Sequence, residues 1–591
     1  MNNTTIGAII AVLRYEKKYS RRKLCQGLCS TQMLIKIEND EVDVDKFMLD
    51  MLLQRLGKSS DKLEVILSDE EYQKIYIRDT IEELIWKKER NKIFIVLEDY
   101  ERRYAKNSNV QKMFVFRTKA YISRIIEKDI KKTEYYIRQA IEMTSPGINS
   151  VNMGKYLLAT NEIENILELG RCLLEQGRDC EAEEVLNTCQ EYIDDNVTDG
   201  EEFAKLNSKS SWLRACVYTK RGAYMQAYLI CEKAMDWLRK HGIIYFMIPL
   251  LEQLLNCGKQ LGININKWKI FYDIILRLYH DYGESWYCHD SLYHNCFQTC
   301  YHLASEFIRL ERQAQKITQE QLIEGVYEAP ENLSRMENGK VMPTRKKFEG
   351  LMENLGFERG KYCGTVIVEN YDMLELKYET DILIGTGKYQ DAQGNLNRLR
   401  ETLDCNKKVN YMAVEIYQAM IDSGRGKIDA KETYERLSDL LQNSSLIRNG
   451  KIYRVPFYNE LLAINMICSS LRKMNKMQES IIIYNAIINA VEQSKIESKY
   501  QNNIMSLVLA NANLFDTDKK RCNKGISYEL SCGKGNMIYM HFLAQIGLPE
   551  KENASREVTR LAYYMSDLFF REINKQRIKE FYEKTYNEKL L

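Results

Sequence analysis

Apolar residues recur at three- and four-residue spacings through most of the chain, the period of a helix with one buried face. Ile6, Ile9, Ile10 and Leu13 make such a stripe near the start. Phe348, Leu351, Met352 and Leu355 make another past the middle. Two long stretches read as stacked helical hairpins. In the first, Leu169, Gly170 and Leu173 lead to Gly177, Ala182, Leu186 and Cys189. Ala215, Tyr218, Gly222, Ala227, Cys231 and Ala234 then repeat the theme. In the second, the run Gly387 to Ala392 reproduces residues 222–227, and Leu471, Asn475, Ser480 and Tyr484 echo Leu173, Gly177, Ala182 and Leu186. Small residues at these offsets let antiparallel helices approach closely. Beyond Lys551 the pattern is helical but highly charged and predicts a polar terminal cap. Long strand-like alternation is hard to find and Pro is scarce at 6 residues, so the pattern predicts an all-α fold.

One stretch stands out from the hairpins. Thr318 is placed to N-cap a short helix from Gln319, because its hydroxyl can accept an orphan backbone N–H. Gly325 supplies a turn where positive φ costs little. A second short helix starts at Pro330 and stops at Asn338-Gly339. This is the pattern of a helix-turn-helix, whose second helix enters a DNA major groove. An ordinary helical hairpin is the alternative.

The stretch has an echo upstream. Leu24 and Gly27 pair with Leu322 and Gly325 at an offset of 298. Leu34, Glu38, Asn39 and Gly57 pair with Leu333, Glu337, Asn338 and Gly356 at 299, so one residue is gained in the turn. Outside the motif, Thr160 to Ile163 matches Tyr458 to Leu461. These offsets predict two divergent copies of one unit. The expected segments are a helix-turn-helix domain at 1–65, a helical repeat domain at 66–300, a second helix-turn-helix domain at 301–364 and a second repeat domain at 365–591.

Composition narrows the picture further. A chain of 591 residues exceeds one core. Its net charge of +2 gives no global bias toward nucleic acid, so any DNA contact must come from local patches. Arg14, Lys17, Lys18, Arg21, Arg22 and Lys23 form one such patch, chemically suited to displacing counterions from phosphates. Most of the 16 Cys sit singly at apolar positions, no signal-peptide pattern opens the chain, and no apolar run is long enough to span a bilayer. A cytoplasmic protein with reduced thiols and no membrane partner is expected. His280, Cys288, His289, His294, Cys296, Cys300 and His302 cluster, but without a C-x-x-C pair, and core Cys with partly exposed His is the reading preferred over a metal. No Gly-rich phosphate loop, H-E-x-x-H or nucleophile elbow occurs, and neither an enzyme nor a cofactor is expected.

T-Q-x-x-L at Thr318 and L-S-R-x-E-N-G at Leu333, followed by Pro343, resemble the DNA-binding domain of lambda-repressor/XRE-type regulators. The hairpin spacings resemble the tetratricopeptide repeat, although Ala182 to Ala227 spans 45 residues rather than about 34. Together they look like the RRNPP regulators, which include the Rgg and PlcR types. That resemblance implies a bacterial transcription regulator that binds double-stranded DNA and a short signalling peptide. It also implies a homodimer, here covalently fused into a single-chain pseudo-dimer, with further homodimerisation left open. The implied DNA-binding residues are Arg21, Arg22, Lys23, Thr31, Gln32 and Lys36 in the first copy. In the second they are Thr318, Gln319, Glu331, Asn332, Ser334, Arg335 and Lys340. Family members clamp the peptide backbone with Asn side chains in the concave face, which nominates Asn161 and Asn459, then Asn165 and Asn502. The first copy departs from the pattern. Arg21 stands for Gln, Asp40 for the terminal Gly, and Asp43 and Asp45 would repel phosphate. These departures keep a rival reading open, a protein-interaction scaffold with degenerate helix-turn-helix units.

Overall fold

The computed structural model describes residues 4–283, 300–358, 360–442, 446–448, 451–514, 516–546, 548 and 552–590. The fold is all-α, and the few strands among the described residues are short. Each local rule read from the sequence acts where it was expected. Helix Ile6–Glu16 buries Ile9, Ile10 and Leu13. The short helix Gln319–Leu322 carries a reciprocal cap between Thr318 and Gln321. Gly27 and Gly325 both turn with φ of 73°. Asn475, at the position matching Gly177, takes the same left-handed conformation at φ 62°.

Within the hairpin stretches, consecutive helices pack antiparallel. Thr160–Glu175 lies on Asp179–Asn196, and Gly200–Lys220 on Tyr224–His241. A Cβ on Gly170 would stand 2.6 Å from a methyl of Leu186, so any larger residue would force Leu186 to shift at that helix crossing. The early helices 90–127 depart from regular hairpins. Two of them end in wider π-helical turns, Glu101–Ala105 and Ser123–Glu127.

The sequence pattern did not reveal the small central sheet. Strand β1, Leu63–Leu67, follows the first helix-turn-helix and is buried along its whole length. It pairs in parallel with β2, Tyr301–Leu303, and antiparallel with β3, Tyr362–Gly364. In the antiparallel pair Glu64 faces Cys363, 299 positions on. A second bridge joins the far ends of the two hairpin stretches. Ile243 pairs with Lys534, Ile244 N–H donates to Gly533 O at 2.8 Å, and Gly535 N–H donates to Gly242 O at 3.0 Å.

The hydrophobic cores cross the segment boundaries. The core of residues 9–56 runs on through β1 into Val366–Ala512 of the second hairpin stretch. Helix Ala304–Gln315 and its neighbours up to Leu355 form a separate core with Ile66 and Phe457. The helices after residue 551 do more than cap. Leu561, Met565, Leu568 and Tyr582 join a core with Phe271, Ile275 and Leu278 of the first stretch. There Arg239 donates to Leu568 O at 2.9 Å and lies 3.9 Å over the Phe570 ring.

Candidate nucleic-acid interface and peptide groove

Both candidate recognition helices, Thr31–Glu38 and Pro330–Glu337, are anchored from beneath by the same device. Glu38 is buried and takes a two-pronged bond from Arg14, Nε to Oε1 at 2.6 Å and Nη2 to Oε2 at 3.1 Å. Glu337 takes the same fork from Arg312 at 2.6 and 3.0 Å. Each arginine also donates to a carbonyl in the turn that follows its own helix, Tyr19 O and Ile317 O. The second oxygen of each glutamate accepts one further bond. Gln319 Nε2 supplies it at 2.8 Å, and Arg21 Nε supplies it at 2.6 Å in the first copy. The departure of Arg21 from the Gln pattern is therefore accommodated, since both side chains reach the same acceptor. Part of Arg21's donor capacity is spent inward.

Above this anchor the candidate base-reading side chains point outward. Thr31, Gln32 and Lys36 are exposed on the first recognition helix, and Met33 is 39% exposed between them. On the second, Glu331, Asn332 and Arg335 are exposed and Ser334 is half-buried. Arg22 and Lys340 are exposed, and Lys23 is half-buried beside the Tyr19 ring. Thr318 is exposed as a helix cap, and Gln319 is half-buried as the anchor already described.

Two of the acidic departures of the first copy, Asp45 and Asp40, have structural roles, whereas Asp43 is exposed. Asp45 caps helix Lys46–Arg55 by accepting Met48 N–H at 2.8 Å, and burial pushes its carboxyl up. Asp40 adopts the left-handed conformation of the glycine it replaces, φ 61° against 72° at Gly339. Its carboxylate bonds Thr5 and Arg345, so it bridges the two helix-turn-helix segments. Between those segments lies a cavity of about 950 Å³ lined by Thr5, Asp40, Asp43, Arg345, Glu349 and Lys361. Arg345 is shared by Asp40 and Glu349.

Sequence reading also missed the way each segment is tied to its helical array. Arg55 and Asn354 are 299 apart and do one job in common. Arg55 Nη1 donates to Leu24 O and Gln26 O at 2.9 and 2.7 Å, and Asn354 Nδ2 donates to Leu322 O and Glu324 O at 2.8 and 3.0 Å. Arg55 reaches further. Its other nitrogens bind Glu162 at 3.0 and 2.5 Å and Thr144 O at 3.0 Å, deep in the first array. Glu162 matches Glu460, and both cap their helix by accepting the N–H of Ala159 or Phe457. Glu460 pairs with Arg454, which also binds Glu311 of the second helix-turn-helix. Two differently built buried Arg–Glu links thus join array to helix-turn-helix.

The nominated asparagines have different surroundings. Asn161 is half-buried and accepts from Arg117 Nη1 at 3.2 Å. Asn165 is fully buried, and neither its amide oxygen nor its nitrogen has a hydrogen-bond partner. It lies on the helix that also bears Glu164 and Glu168, whose carboxylates hold Lys209 at 2.6 Å each. Asn459 is buried, donates to Thr365 O, and leaves its Oδ1 unpartnered. The Asn502 side chain lies outside the described residues, as do Cys288, His289, His294 and Cys296. Of the remaining cluster, His280 is exposed, whereas Cys300 and His302 are buried on or beside β2, 3.6 Å apart. No metal-holding group of His, Cys, Asp and Glu occurs among the described residues, and no helix among them is long and apolar enough to cross a membrane.

No family model and no curated protein matches the chain. Among solved structures, the crystal structure of Bacillus thuringiensis PlcR in complex with the peptide PapR7 and DNA is similar at 16% identity and a TM-score of 0.30. That match covers 46% of this chain and 98% of the other. The APC/C hetero-tetramer Cut9-Hcn1 is similar at 12% identity and a TM-score of 0.20, covering 88% of each chain.

Proposed function

We propose that the chain is a DNA-binding transcription regulator controlled by a short peptide bound in its helical arrays. The observation that carries the reading is the pair of recognition helices. Each is locked from below by a buried Glu–Arg fork and presents exposed polar side chains outward. Arg335 and Asn332 supply the side-chain types that pair with guanine and adenine edges. The pairing of Glu64 with Cys363 supports a fused pseudo-dimer, because a two-fold relation between copies brings equivalent residues face to face. The unpartnered amide atoms of buried Asn165 and Asn459 support a polar ligand in each array, since a buried amide without partners costs free energy that a peptide backbone would offset.

The test is footprinting of the purified full chain on DNA from its own genome, with and without peptides encoded by neighbouring small reading frames. Asn161→Ala and Asn459→Ala serve as controls. Peptide binding that neither substitution weakens overturns the assignment of the groove. Absence of sequence-specific protection overturns the DNA reading and favours an interaction scaffold, for which the Asp40–Arg345 link between the two helix-turn-helix segments is the supporting observation.

A further inference from the structure

A second cavity lies where the second helix-turn-helix segment meets its array; Gln501, next to the nominated Asn502, lines it, whereas Asn161, Asn165 and Asn459 do not. Its volume is about 570 Å³, inside the range of small-ligand sites. Helix Ala304–Gln315 forms one wall, the segment 451–455 another, and the end of helix Met477–Glu492 the third. Leu303, Phe307, Ile452 and Val455 contribute apolar surface.

Part of its polar lining is uncommitted. Three cations and one carboxylate line it. Arg454 is neutralised by Glu311 and Glu460, and Glu306 is satisfied by Ser494 Oγ at 2.7 Å and Lys495 N–H at 3.2 Å. Arg309 is different. Among the described residues its guanidinium has no ion pair or hydrogen bond, and its Nε is buried without a partner. Lys451 is exposed at the rim. Gln501 is 1% exposed, donates Nε2 to Tyr301 O at 3.2 Å, and leaves Oε1 unpartnered. Asn489 and Gln493 stand one helical turn apart and add two exposed amides.

Arg309 is half-buried, with Nε enclosed and its terminal nitrogens left for a ligand, and a carboxylate fits a guanidinium's planar fork. Three amides nearby donate and accept as a peptide backbone requires. From these features we propose that the cavity binds the free carboxyl end of a short peptide. Arg309 and Lys451 hold the carboxylate, Gln501 and Asn489 hold the adjacent peptide group, and the last side chain rests on Phe307 and Val455. The site is separate from Asn459 and stands whether or not the chain binds DNA. An occupant would touch the first helix of the second helix-turn-helix and its array together.

Calorimetry on the full chain tests it. The probes are N-acetyl tripeptides ending in Leu, Phe, Val or Lys, each as the free acid and as the carboxamide, with inorganic phosphate alongside. At least one free acid should bind about 10-fold or more tighter than its carboxamide, the range of a hydrogen bond to a charged group. Arg309→Gln should remove that preference, Arg309→Lys should keep most of it, and Asn489→Ala should weaken binding while leaving the helical circular dichroism unchanged. Asn161→Ala and Asn459→Ala should leave this binding alone, which separates it from the groove of the proposed regulator. The proposal is overturned if no free acid binds at millimolar concentration, if acid and carboxamide bind alike, if phosphate binds as tightly, or if the groove variants abolish binding while Arg309→Gln does not.

Discussion

Arg55 does two jobs that its counterpart Asn354 does not combine, and the difference sets up a measurable separation. Replacing Arg55 with Asn should preserve the bonds to Leu24 O and Gln26 O, as Asn354 preserves the matching pair. It should remove the contacts to Glu162 and Thr144 O. Both side chains of the Arg55–Glu162 pair are only 2% exposed, so the glutamate would be left buried and unpaired, apart from Ser145 and the Ala159 N–H. Breaking one side of such a pair costs about 3–5 kcal/mol. Arg55→Ala loses the turn bonds as well, at about 1 kcal/mol each, and should cost about 2 kcal/mol more. A chain of this size does not unfold in one step, so the assay is hydrogen exchange followed by mass spectrometry over residues 4–56. A loss of about 3 kcal/mol raises exchange through local opening roughly 100-fold. Glu162→Gln in the Arg55→Asn background removes the stranded charge while keeping an acceptor for Ala159 N–H, and should recover part of the loss. The reasoning fails if Arg55→Asn and Arg55→Ala exchange alike. It also fails if the two substitutions at the pair prove additive, because a real link must show coupling.

Gly27 and Gly325 share φ of 73°, but a Cβ on Gly27 would stand 2.0 Å from Thr144 O, whereas Gly325 has open space; Gly325→Ala should cost about 1–2 kcal/mol and Gly27→Ala at least twice that, read by the same exchange experiment. His541 is fully buried with neither ring nitrogen partnered, and burial lowers its pKa to about 4. The unfolded state then binds the extra proton first, so stability should fall as pH drops from about 6.5 toward 4, by roughly 3 kcal/mol at the lower end; His541→Leu should flatten that part of a melting-temperature profile. On DNA, Arg335→Ala should relax preference at one half-site by about 1–3 kcal/mol, measured by competition between operator variants. Arg22→Ala should weaken binding to all sequences and lower the slope of log affinity against log salt, so a footprint equally sensitive to changes in both halves of a palindrome contradicts the expected asymmetry.

What the sequence made legible, and what it did not, follows from the range of the interactions involved. Caps, turns and helix stripes depend on residues within four positions, so Thr318, Gly325 and the Ile6 to Leu13 stripe could be read directly. The offsets of 298 and 299 are equally a property of the string. The central sheet was not readable that way. β1 is five residues long, and its partners lie more than 230 positions away, so no local alternation marks them. The Arg55–Glu162 and Arg454–Glu311 links were hidden for a related reason. A lone arginine on an amphipathic helix has the same local signature whether it faces water or a glutamate 107 positions on. Yet one clue was present. Once the copies are aligned, Arg55 falls opposite Asn354, and an asparagine cannot reach as far as an arginine. A large residue facing a small one across a duplication marks a place where the copies have taken different partners. Asp40 opposite Gly339 obeys the same logic. Where Gly339 is left-handed without a side chain, Asp40 holds the same conformation at a cost in strain, which its bonds to Thr5 and Arg345 offset. At these two positions the matched segments differ where they contact other parts of the chain, while the Glu38 and Glu337 anchors inside each segment are alike. Under the proposed reading as a fused pair, each half would keep its own recognition helix in place but would no longer have to meet an identical partner, which fits that distribution.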